Sequence, residues 1–113
     1  MATPTIPLTP DVRASYEDVY AKNQAAIDTT NDFEVLKSLN ASQLDIGNLL
    51  SADDQYRIHA DSALFQTMLT QIDITNAGLK VLQTKIAGIA KNISTFGEVA
   101  GAINKVLTMV PGI

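Results

Sequence analysis

From Phe65 onward the chain places side chains three and four residues apart in strict heptad order. One register runs Phe65, Ile72, Leu79, Ile86, Ile93, Ala100 and Leu107. The other runs Met68, Thr75, Leu82, Ile89, Phe96, Ile103 and Val110. Thirteen of these fourteen positions are apolar in a chain that is 46% hydrophobic, so chance is a poor explanation. Residues spaced in this way share one side of an α-helix, and an apolar side of that length must be covered by something. Taken literally, the pattern predicts a helix over about residues 53–109, which at 1.5 Å per residue is about 85 Å long. Ser51, Asp53 and Asp54 supply its start, and Pro111-Gly112 its stop. The weak point is residues 73–78, where Asn76 and Gly78 could cap one helix and start another. The stripe keeps phase across that point, which favours a continuous helix.

The residues bordering the stripe say how it is covered. A two-stranded zipper carries charges there that pair across the seam. Of the thirteen bordering positions only Lys85 is charged, and small or neutral residues such as Asn76, Gly78, Ala90 and Gly97 fill the rest. A stripe with such borders can touch more than one helix, which favours a bundle, or a hairpin that assembles, over a lone coiled coil.

The remaining covering material lies upstream. Residues 1–9 hold two of the four prolines, Pro4 and Pro7, with Pro10 following directly, and read as an extended, mobile arm. Thr9-Pro10-Asp11 is a helix start: a capping hydroxyl, proline at the first helical position, then an acid in the first turn. Val12, Tyr16, Val19, Asn23 and Ala26 or Ile27 follow at helical spacing. The run Asp28-Thr-Thr-Asn-Asp32 weakens the helix, and Asn31 with Glu34 reads as a capping box. Phe33, Leu36, Leu39, Ile46, Leu49 and Leu50 then either continue that helix or belong to a second one. The expected fold is all-α: one helical domain over residues 10–110, built as a long hairpin or an up-down bundle around the C-terminal stripe. A two-helix hairpin buries little area, so three or four shorter helices must close the core, or another copy must. Self-association is the favoured solution.

Charge and composition narrow the functional classes. A net charge of −4 argues against a nucleic-acid partner, which needs a basic face. Residues 1–62 carry ten acids and four bases, and residues 63–113 two acids and four bases. Complementary packing of the two halves is the simpler account; the alternative is a mildly basic C-terminal helix facing a membrane or an acidic partner. There is no Cys, hence no disulfide framework and no thiolate chemistry. The N-terminus lacks a basic and then apolar leader, and no stretch reaches the roughly 20 apolar residues of a spanning helix. A soluble protein is expected, cytoplasmic or exported by a route independent of a signal peptide.

Sites for chemistry are scarce. His59 is the one histidine, with Asp61 close by, and a single His without Cys is a poor metal ligand set, so a surface histidine is expected. Asp73, Thr75 and Asn76 echo a calcium loop, but Ala77 and Thr84 occupy its fifth and twelfth positions. Asn40-Ala-Ser42 and Asn92-Ile-Ser94 match a glycosylation acceptor, which counts only in a secretory eukaryotic setting. No phosphate-binding glycine loop or nucleophile elbow is present. Catalytic, cofactor and metal residues are therefore expected to be none. Gly97 and Gly101 form a G-x-x-x-G that would let a neighbouring helix approach closely.

The absence of Cys and Trp, together with 30 Ser, Thr, Asn and Gln residues on an acidic helical chain, resembles subunits exported unfolded to build filaments or needles, such as flagellins and secretion needle proteins. The resemblance is one of composition, without a motif of either family. The expected function is a non-enzymatic helical assembly or interaction module, with an exported structural subunit as one form of it. Its working surface would be the stripe of Phe65, Met68, Ile72, Leu79, Leu82, Ile86, Ile89, Ile93, Phe96, Ile103, Leu107 and Val110, with Gly97 and Gly101 as close-packing points. Its partner would be a second copy or another helical protein. The alternative is a membrane-active protein whose segment 79–110 lies on or in a bilayer through the same stripe and Lys80, Lys85, Lys91 and Lys105.

Overall fold

The computed structural model describes residues 5–88 and 94–110. Four helices follow one another: α1 (Pro10–Thr29), α2 (Phe33–Ile58), α3 (Ser62–Ile86) and α4 (Ser94–Met109). The fold is an all-α bundle, 44 × 25 × 20 Å, in which α1 packs on α2 and α4, and α3 packs on α2 and α4. Three-residue connections follow α1 and α2, and connections so short turn the chain back antiparallel. The Lys85–Glu34 ion pair at 3.6 Å, from the end of α3 to the start of α2, fits that arrangement. It is the one ion pair between the two charge-biased halves of the chain among the described residues, so complementary charge does little to hold them together.

The starts of α1, α2 and α3 each have a cap. The Thr9 hydroxyl accepts from the Val12 N–H ahead of Pro10. Asp32, not Asn31, opens α2, its carboxylate accepting from the Glu34 and Val35 N–H groups. Asp61 opens α3 by accepting from the Leu64 N–H at 2.8 Å. Residues 10–50 thus belong to two helices.

The single helix over 53–109 does not exist. Ser51, Asp53 and Asp54 lie inside α2, which runs on to Ile58. A second interruption follows Ile86, where Ala87 and Gly88 form a turn before α4. The heptad pattern survives this break because α3 and α4 face the same core; common phase reports a shared core, not a shared helix. At residues 73–78, by contrast, α3 is unbroken. Asn76 is buried there and spends its amide on tertiary bonds, so it caps nothing.

The core is aliphatic apart from two buried rings, Tyr16 and Phe96. Around them lie Val19 and Ala26 of α1, Leu39, Ile46 and Leu49 of α2, Met68, Ile72, Leu79, Leu82 and Ile86 of α3, and Val99, Ile103 and Val106 of α4. Leu8, in the second half of the proline-rich arm, is also buried, so this part of the arm is docked rather than loose. Thr75, the one polar residue of the heptad, is buried between α2 and α3 and donates to the Asp45 carbonyl at 3.2 Å, as does the Gln71 amide at 3.1 Å.

Glycine placement departs from expectation. Gly97 and Gly101 both lie exposed on the outer side of α4, and a Cβ at Gly101 would meet no atom within 4 Å. Among the described residues Gly101 is therefore not a close-packing point. The close approach is at Gly78, where a Cβ would lie 3.0 Å from Asp45 Oδ2. Gly101→Ala is therefore expected to stabilise the protein by roughly 1 kcal/mol, the helix-propensity difference. Gly78→Ala should gain less, because the Asp45 carboxylate has to move aside. Thermal melts of the two variants side by side check the ordering.

Candidate functional site

The heptad stripe lies in the interior. Met68, Ile72, Leu79, Leu82, Ile86, Phe96, Ile103 and Val110 are between 0% and 4% exposed, and Phe65 and Leu107 are half-buried. Ile89 and Ile93 lie outside the described residues. What was read as a surface for partners is the surface on which the chain's own helices meet. The expectation failed because one heptad stripe looks the same whether its cover comes from within the chain or from another chain.

Two buried polar assemblies hold the bundle together. In the first, the Asp53 carboxylate on α2 is fully buried. It accepts from the Leu8 N–H at 2.9 Å, from Arg13 Nη1 on α1 at 2.6 Å and from Arg57 Nε at 2.9 Å. Arg57 also donates to the Leu8 carbonyl. Burial alone would raise the Asp53 pKa, but the bonds from Arg57, Leu8 and Arg13 outweigh it and hold the carboxyl below its ordinary value. Arg13 reaches Asp54 at 2.8 Å and Glu17 at 3.4 Å as well. In the second assembly the Tyr16 hydroxyl donates to Asn76 Oδ1 at 2.6 Å, from α1 to α3 across the bundle. Asn76 Nδ2 then donates to the Val110 carbonyl at 3.2 Å. Burial raises the Tyr16 phenol well above its ordinary pKa, against a smaller lowering by Asn76, and keeps it a neutral donor.

Neither assembly is arranged for chemistry. The carboxylates around Arg13 are held in ion pairs with it, Asp53 also with Arg57, and Tyr16 opens onto no solvent. His59, at the end of α2, has a side chain 81% exposed with Asp61 3.8 Å away. Among the described residues no group of three or more His, Asp or Glu comes together to hold a metal ion. A groove of about 510 Å³ between α1 and α2 is lined by Glu17, Tyr20, Gly47, Leu50, Ser51 and Asp54. Its two acids are the ones already paired with Arg13.

The surface carries more. Phe33, Leu44 and Ile58 on α2 are 71%, 65% and 85% exposed, while Ile74 and Val81 on α3 are 48% and 53% exposed. Together with Tyr20 of α1, these are the large hydrophobic groups that the closed bundle leaves uncovered among the described residues. Ile74 and Val81 carried a signal: they are seven apart and belong to a second heptad phase on α3, opposite the first. No protein-family model matches the chain, and neither the curated proteins nor the solved structures contain a match to it.

Proposed function

We propose that this chain is a non-enzymatic helical module that binds another polypeptide through its outer faces. The observation that supports this reading is the set of large apolar side chains left exposed on α2 and α3 of a bundle whose core is already closed. Single exposed apolar residues are ordinary, but five on two packed helices are the composition of a contact surface. An exported structural subunit is one form of this function, supported by the absence of Cys and Trp and by the wealth of small polar residues.

The membrane-active alternative has less support. The stripe on which it relied is buried, and no described helix is long and apolar enough to cross a membrane. Lysine-directed cross-linking in the cell of origin separates the two readings. Lys37, between Phe33 and Leu44, and Lys80, beside Val81, are exposed and placed to report a partner. Inter-chain links from either lysine are expected, while flotation with anionic vesicles should leave the protein in the aqueous fraction. Vesicle binding without inter-chain links would overturn the interaction reading.

A further inference from the structure

Helix α3 has two faces. Opposite the core residues Met68, Ile72, Leu79 and Leu82 lie Thr67, Thr70, Ile74, Ala77, Val81 and Thr84, all exposed and all uncharged. Their spacing of three, four, three, four and three is itself a heptad seam, the pattern by which a helix packs along a second helix. Among the described residues no other helix covers it. Asp73 and Lys80 border it on one edge, one heptad apart, and among the described residues neither makes an ion pair within its own chain.

We propose that the outer face of α3 is a self-pairing surface, covered by the α3 of a second copy of this chain running antiparallel to it. The inference rests on the interaction reading above and names its partner. The bordering charges select both the direction and the register. In an antiparallel pair, residues on the same edge of the two seams come together. Seating Ile74 on the second copy's Ala77, Val81 on its Thr70 and Thr67 on its Thr84 places a two-fold axis between Thr75 and Asn76. Asp73 then lies alongside the second copy's Lys80, and the symmetry repeats the pair. A slide of one heptad in one direction sets Asp73 against Asp73, and in the other direction Lys80 against Lys80. A parallel, in-register pair brings Lys80 beside Lys85 of the other chain. One arrangement of the four satisfies the charges, and it is self-complementary. A seam of about three heptads with threonine at half its positions is a weak one, so the dimer is expected to form at roughly 10–100 µM.

Sedimentation equilibrium of the purified full chain over that range tests the arrangement. The wild type is expected to pass from monomer to dimer. Asp73→Lys and Lys80→Asp, each on an exposed position, should retain helicity and melting temperature but weaken dimerisation by about tenfold. The double exchange Asp73→Lys with Lys80→Asp should restore it. A wild type that stays monomeric at 1 mM, single variants that dimerise as well as wild type, or a double variant without rescue would each overturn the proposal. Inter-chain cross-links in the cell alongside a monomeric purified chain would remove the self-pairing alone and leave the interaction reading standing.

Discussion

Replacing Asp53 with alanine is expected to lower the stability of the bundle by about 3 kcal/mol at neutral pH, out of a total of roughly 5–15 kcal/mol for a domain of this kind. The carboxylate is fully buried and is the common acceptor for the arm, α1 and α2 through Leu8, Arg13 and Arg57. Its loss strands the Leu8 N–H and leaves two guanidinium groups without their main partner. The side chains of Arg13 and Arg57 are 25% and 41% exposed and can turn to water, which keeps the cost at the low end for a broken buried pair. The effect depends on pH. Because the folded carboxyl has a pKa below its ordinary value of about 3.9, its contribution is complete above that value. It is lost as pH falls through the lower, folded value. Melting temperatures of wild type and Asp53→Ala should therefore differ by roughly 10–20 °C at pH 7 and converge below about pH 4. A gap that stays constant across that window would show that the carboxylate is held for its shape and not for its charge.

Leu79→Ala should cost about 2–5 kcal/mol, because Leu79 has no exposed surface and the neighbouring helices cannot fully collapse into the space it leaves. Val81, two residues away on the same helix, is 53% exposed, and Val81→Ala should change stability by less than about 0.5 kcal/mol. Urea unfolding of the two variants measures how sharply α3 divides into an inner and an outer face. Equal losses would mean that both heptad seams are covered within the monomer, and would remove the free face on which self-pairing depends.

Helix content, the cap at Thr9 and the core positions of α3 and α4 were legible in the sequence, because each rests on local chemistry or on a period. The number of helices was not. Asp61 was read as an interior residue, since nothing about its neighbours marks it as a cap until the chain is seen to turn there. Asp53 was read as a helix start because acids favour that position, whereas its role depends on Leu8 and Arg13, more than 39 residues away in the chain. Long-range bonds of this kind leave no periodic trace. The same holds for the glycines. Gly97 and Gly101 show the expected spacing yet face solvent, while Gly78, in no motif, is where the Asp45 carboxylate of α2 reaches up to α3.

The hydroxyl of Tyr16, the amide of Asn76 and the carbonyl of Val110 bear on which bundle forms, beyond how strongly it holds. A core of Leu, Ile and Val tolerates sliding one helix past another by a turn of about 5.4 Å, since aliphatic knobs fit several sets of holes nearly as well. Each such slide separates the phenol from its amide and the amide from its carbonyl, leaving three polar groups in oil. The penalty falls on the competing alignments and not on the native one. Asn76 therefore acts as an address, telling otherwise interchangeable helices at which height to stop. A chain with leucine there would keep its apolar contacts and lose the means of choosing among them.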